Sequence, residues 1–167
     1  MNNPESATTQ RAQLELKNFL PYRLSVLSNR ISSAIAREYS QRFGLGVTEW
    51  RVMAVLGRNR GLSANQVAQR TAMDKVAVSR AVASLIEAGR LLREFDDNDR
   101  RRSVLRLSDA GYAVYDEVAP LALEFENHVL GGMSANERDL LFGLLDRLDE
   151  LELHAERTVL EHDAAHD

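Results

Sequence analysis

The chain contains no cysteine, which excludes disulfides, thiolate metal ligands and thiol redox sensing. No apolar run approaches the roughly 18 residues that suggest a membrane span. Residues 1–13 are polar and lack the apolar core of a signal peptide, so a cytoplasmic protein without membrane attachment is expected. There is no glycine-rich phosphate loop. The four histidines, His128, His154, His162 and His166, are scattered or lie at the end of the chain. His162 and His166 stand at i, i+4, a spacing that can hold a metal on a helix. With no cysteine nearby and an end expected to fray, no metal site is expected. Nothing suggests a nucleophile with its base or a metal-ligand set, so an enzyme is not expected, nor a cofactor. Internal repeats and low-complexity tracts are also absent.

What is present is an ordinary globular composition, 44% hydrophobic and 28% charged over 167 residues, enough for one domain with a real core. The net charge of −4 argues at first against a nucleic-acid partner. Its distribution does not. Residues 51–106 hold 12 Lys/Arg and 6 Asp/Glu, a net of +6, and the remainder carries −10. Phosphate binding depends on the local field, so a basic centre on an acidic body is compatible with DNA binding, as it is with a solvated basic surface.

Periodicity and capping signals divide the chain mainly into helices. Pro21 opens a helix whose apolar stripe is Leu24, Leu27, Ile31, Ala34 and Ile35, and which runs to about Phe43 before Gly44 and Gly46. Thr48 is the expected cap of a second helix, carrying Trp50, Val52, Met53, Val55 and Leu56 and ending near Gly61. Ser63 and Gln66 form a capping-box pattern for a short helix to about Thr71. Asp74 caps the next, which ends at Gly89. Residues 91–95 and 103–107 read as two strands joined by the charged tip 96–102. Ser108 and Asp109 start a fifth helix to about Leu130, Gly131 and Gly132 break it, and Ser134 with Glu137 boxes a last helix to about His154 or beyond. The order is that of a mainly α fold, a winged helix-turn-helix with a two-stranded β wing and long helical arms. It divides into 48–108 as the winged helix-turn-helix region, 14–47 with 109–161 as the helical arms, and flexible ends 1–13 and 162–167.

On the helix after Asp74, Val78, Ala81, Val82, Leu85 and Ala88 gather on one face, which should pack inward. The opposite face carries Val76, Ser79, Arg80 and Ala83, with Lys75 at its edge and Glu87 further along. Such a narrow, mostly small face suits a major groove about 12 Å wide. Arg80 could pair bidentately with guanine, Ser79 could reach a base edge or phosphate, and Val76 could touch a thymine methyl. Lys75 and the helix N-terminus would anchor phosphates. An ordinary amphipathic surface helix would look the same in isolation; the capped helix before it and the hairpin after it favour DNA. At the hairpin tip, Asp99 with Arg100 and Arg101 could present a guanidinium to a minor groove, although a merely solubilising loop would also be charged.

The run Asp74-Lys75, Val78-Ser79-Arg80, Leu85, Gly89, Asp99-Arg100-Arg101, Leu107-Ser108 and Gly111 resembles the MarR family signature, and a looser similarity covers about 20–155, including Thr48-Glu49-Trp50-Arg51. The resemblance implies a winged helix-turn-helix transcriptional regulator, recognition by the helix holding Ser79 and Arg80, and a wing held by Asp99 and led by Arg101. Asp97 stands where many members have proline, and Ser108 where threonine is commoner.

Leu140, Leu141, Leu144, Leu145, Leu148 and Leu151 repeat at three- and four-residue spacing. They serve either an intramolecular core or, as the resemblance implies, a homodimer interface with the first helix. Two-fold symmetry would place recognition helices about 34–36 Å apart on a pseudo-palindromic operator in double-stranded DNA. Arg23, Arg30 and Arg37 form one basic stripe on the first helix. They make salt bridges, or Arg23 and Arg30 clamp the carboxylate of a small aromatic effector between Tyr22 and Trp50. Many regulators of the resembled type take aromatic carboxylates in such a cleft. The resulting expectation is a repressor relieved by a phenolic or carboxylate ligand. The alternatives are a constitutive DNA-binding regulator or a helical protein-interaction module.

Overall fold

A helix leaves its first N–H groups without partners, and the polar residues punctuating this sequence supply them. A computed structural model describes residues 13–95 and 103–150. A short 3-10 turn, Leu16–Asn18, precedes α1 (Leu20–Phe43). Pro21 sits in the first turn of α1, and Gly44 closes it in the left-handed conformation. Next comes α2 (Val47–Arg58), which begins ahead of the position expected from a Thr48 cap. Gly46 is its N-cap and has no side chain to offer; instead Glu49 reaches back and accepts the Gly46 N–H at 2.7 Å. The helix also ends before Gly61. Asn59 turns extended, and both its N–H and its side-chain amide donate to the Val55 carbonyl, at 3.0 and 2.9 Å.

The box of α3 (Ala64–Thr71) forms as expected: the Gln66 N–H donates to Ser63 Oγ at 3.2 Å, and the Ser63 N–H to Gln66 Oε1 at 2.8 Å. The turn into α4 (Lys75–Glu87) passes through Ala72 at φ 50°, a left-handed residue that is not glycine. β1 (Leu91–Phe95) and β2 (Ser103–Leu107) pair antiparallel, Leu91 opposite Leu107 and Phe95 opposite Ser103. Leu105 also bridges Leu62 in the loop between α2 and α3, which ties the hairpin to the helices. α5 (Asp109–Leu130) starts from Ser108, whose Oγ accepts the Gly111 N–H at 3.0 Å. α6 (Ala135–Glu150) starts from the Ser134–Glu137 pair, where Ser134's donors hold the Glu137 carboxyl below the usual carboxylate range.

The chain divides into two compact units between Ala122 and Leu123. In the first, one core takes Val52, Met53 and Leu56 from α2, Val67 from α3, Val78, Val82 and Leu85 from α4, and Leu91, Leu105 and Leu107 from the hairpin. Tyr39 of α1 and Val118 of α5 are buried in that same core. The division falls within α5. Gly57 of α2 allows the Tyr115 ring of α5 to lie against the helix backbone; a Cβ there would stand 2.5 Å from the ring. The second unit holds the end of α5 and α6. No residue of α6 is buried, and Leu140, Phe142, Leu144 and Leu145 are exposed.

Candidate nucleic-acid interface

Two devices set the pose of α4. At its start, Asp74 Oδ1 accepts the N–H groups of Val76 and Ala77 at 2.9 and 3.0 Å. An N-cap of this kind is typically worth about 1 kcal/mol. Along its length, Val78, Ala81, Val82 and Leu85 are buried. The inward face matches the sequence pattern except at Ala88, which is exposed because it is the C-cap, where the chain leaves the helix for Gly89.

Burial of one face leaves the other to solvent. Lys75, Val76, Ser79, Arg80 and Ala83 are all exposed, and Val76 keeps 56% of its surface despite its apolar side chain. The face therefore presents one ammonium, one hydroxyl, one guanidinium and small apolar groups on a helix preceded by α3 and followed by the β1–β2 hairpin. That set can read base edges and hold phosphates. On β1 and β2, Glu94 accepts from Arg106 across the strands. The wing-tip residues Asp99, Arg100 and Arg101 lie outside the described residues.

Beside this face, an open groove separates α4 from the first turn of α2, lined by Gly46, Thr48, Glu49, Ala77, Arg80 and Ser84. Across it, Ser84 Oγ donates to Glu49 Oε1 at 2.6 Å. Neither Ser84 nor this role of Glu49 was visible in sequence, because the pair is 35 residues apart.

The expected effector residues are not gathered into one site. Trp50 is half-buried between Tyr39 and Tyr115, with ring centroids 5.8 and 5.9 Å away. Tyr22 lies seventeen residues before Tyr39 on the same helix, roughly 25 Å along its axis. Arg23 and Arg30 are exposed on α1. The guanidinium that does face α1 from the Trp50 turn is Arg51, which is partly buried and donates to Ser32 Oγ at 2.9 Å and Ser28 Oγ at 3.5 Å. Arg30 stands two positions from each serine, so it is turned roughly 200° away from them. Among the described residues Arg51 has no carboxylate within ion-pair distance. Burial pushes the neighbouring Tyr39 phenol up, and the Arg51 charge partly offsets this. The serine pair at i, i+4 was the available sequence signal, but it acquires meaning only once α2 is seen against it.

Among the described residues no cluster of His, Asp or Glu is placed to hold a metal, and no helix is long and apolar enough to cross a membrane.

A model described as the MarR family matches residues 43–102. The crystal structure of a MarR/EmrR family transcriptional regulator from Acinetobacter sp. ADP1 is 29% identical; it covers 81% of this chain and 96% of its own, with a TM-score of 0.75. A probable transcriptional regulator from Pseudomonas aeruginosa is 31% identical, covers 80% of this chain and 98% of its own, and has a TM-score of 0.69. The HTH-type transcriptional regulator PecS of Dickeya dadantii (strain 3937) is 28% identical over 131 residues, 76% of this chain and 78% of that protein. These relatives are transcriptional regulators, not enzymes. With its winged helix fold, the chain belongs to the MarR family of DNA-binding transcriptional regulators.

Proposed function

We propose that the protein is a homodimeric repressor that places α4 in the major groove of a pseudo-palindromic operator and is released by a small aromatic acid. The observation carrying the DNA half is the outer face of α4. Lys75, Val76, Ser79, Arg80 and Ala83 are exposed on a helix whose other face is core. In this reading residues 48–108 dock on DNA, and Asp99, Arg100 and Arg101 form the leading end of the wing. The dimer half is supported by exposed apolar surface: Leu14, Phe19, Leu20 and Leu27 in the first unit, and Leu140, Leu144 and Leu145 in the second. Residues 14–47 and 109–161 supply the dimer contacts. Selection of tight-binding duplexes from a random-sequence library tests both halves. Selected sites should be inverted repeats with half-sites about one helical turn apart, bound by twice the 18.8 kDa chain mass in sedimentation. Sites without two-fold symmetry, or a bound monomer, would sink the dimeric reading.

The effector half rests on Arg51. A partly buried guanidinium that, among the described residues, donates to two hydroxyls, next to a tryptophan, matches the carboxylate and ring of an aromatic acid. Two proteins of the same fold take aromatic compounds, one a CoA thioester and the other, which supports the ligand class, a free aromatic acid. CouR from Rhodococcus jostii RHA1 (TM-score 0.68) was crystallised bound to p-coumaroyl-CoA. DNA binding by BpsR of Bordetella bronchiseptica (TM-score 0.71) is regulated by 6-hydroxynicotinic acid. To oppose DNA, such a ligand must bind the free conformation more tightly than the bound one. Trp50 is the sole tryptophan, so its emission reports occupancy directly. In titrations with 4-hydroxybenzoate, p-coumarate and 6-hydroxynicotinate, at least one should change Trp50 emission and weaken the selected duplex. Arg51→Ala should weaken that response roughly 10- to 150-fold, the worth of a hydrogen bond to a charged group. Arg23→Ala should not. A silent panel would leave a constitutive regulator.

A further inference from the structure

We propose that Glu49 is a positioning residue for DNA reading: by bridging α2 to Ser84 of α4, it sets the roll of the recognition helix and so the direction in which Arg80 leaves it. A cap needs only one carboxylate oxygen. Glu49 uses Oε2 for the Gly46 N–H, at 2.7 Å, and commits Oε1 to Ser84 Oγ, at 2.6 Å. Ser84 is exposed and lies one helical turn beyond Arg80, and both line the groove between α2 and α4. The other restraints on α4 act elsewhere. Val78, Ala81, Val82 and Leu85 hold it by apolar contact, which is non-directional, and Asp74 holds its first turn. The short hydrogen bond at Ser84 is directional and acts on the flank.

Geometry makes that restraint matter. An arginine guanidinium extends about 9 Å from the helix axis, so a roll of roughly 10° displaces it by about 1.5 Å. Recognition sites tolerate about 0.5 Å. The bridge therefore controls discrimination between sequences more than general attraction to phosphates, which tolerates such a displacement.

The test compares a duplex selected by the wild-type protein with a random duplex of equal length. Ser84→Ala leaves the Gly46 cap in place and is the clean variant. It should weaken the selected duplex roughly tenfold, as does losing one charge-assisted hydrogen bond, and leave random-duplex affinity and its salt dependence unchanged. Glu49→Ala should do the same, and the double variant should be no worse than the poorer single one. Glu49→Gln should restore discrimination, because its amide can accept from Gly46 and donate to Ser84 Oγ. The proposal is overturned if Ser84→Ala keeps full discrimination, if both duplexes weaken alike, if the two losses add, or if Glu49→Gln behaves like Glu49→Ala.

Discussion

Gly111→Ala is expected to lower the thermal midpoint by roughly 6–12 °C. Glycine inside a helix normally costs up to about 1 kcal/mol relative to alanine, so the ordinary expectation has the opposite sign. At Gly111 a Cβ would stand 2.1 Å from the Arg90 carbonyl oxygen, 3.1 Å from its carbon and 3.3 Å from Leu107 Cδ2. The obstacle is backbone and cannot swing away. It is also held: the Arg90 carbonyl accepts the Ser108 N–H at 3.0 Å, Ser108 Oγ donates to the Gly89 carbonyl at 2.6 Å, and the Arg90 guanidinium donates to the Phe43 carbonyl at the end of α1. Relief requires moving the start of α5 away from the α4–β1 junction, which breaks these bonds. Overpacking costs about 1–3 kcal/mol, and a backbone clash belongs at the upper end. At roughly 2–4 °C per kcal/mol for a chain of this size, the shift follows. Gly143→Ala in α6 is the control; its Cβ would meet nothing within 4 Å, so it should raise the midpoint slightly. A melt in which Gly111→Ala equals or exceeds wild type would show that the close approach is wrong.

Arg80→Ala should weaken binding to the selected duplex by about 1–3 kcal/mol per half-site, and the loss counts twice in a symmetric dimer. Base preference should relax at one position in each half-site and persist elsewhere. The reason is that Arg80 is the guanidinium on the outer face of α4, where Val76, Ser79 and Ala83 offer it no competing charge. Lys75→Ala should behave differently. At the N-terminal edge of the helix it is placed for phosphate, so all sequences should weaken alike and the salt slope should fall by about one per protomer. Binding isotherms on the selected duplex and its single-position variants, at two salt concentrations, separate the outcomes. If Arg80→Ala leaves every base preference intact, the outer face of α4 is not the reading face.

Local rules were readable in sequence because they join residues two to four positions apart. Ser63 with Gln66, Asp74 with Val76 and Ala77, and Ser134 with Glu137 all form where the pattern places them. The two strands match residue for residue, since Leu105 and Leu107 alternate with Arg106. The start of α2 was misplaced because the capping group comes from the Glu49 side chain, while Thr48, the expected cap, lies inside the helix. The effector residues were less legible for another reason. The spacing of Arg23 and Arg30 shows only that they share a face of α1, not what that face meets. Arg51 reaches Ser28 and Ser32 across 23 and 19 residues, a relation that only packing creates. Trp50 was rightly noticed as an aromatic, but Tyr39 and Tyr115, from two other helices, are its neighbours, and Tyr22 is not.

The slot at Gly57 has a consequence for how such a chain can drift over generations. The Tyr115 ring occupies the space a side chain at 57 would need. Neither position is then free to change by itself: a larger residue at 57 is admissible only after the ring at 115 has shrunk, and a smaller residue at 115 opens a void that a side chain at 57 could fill. Descendants of this sequence should therefore show correlated replacement at 57 and 115, with glycine beside an aromatic ring and alanine or larger beside a small aliphatic one. Chains that pair a bulky residue at 57 with tyrosine at 115 should be rare, or should carry a displaced α5.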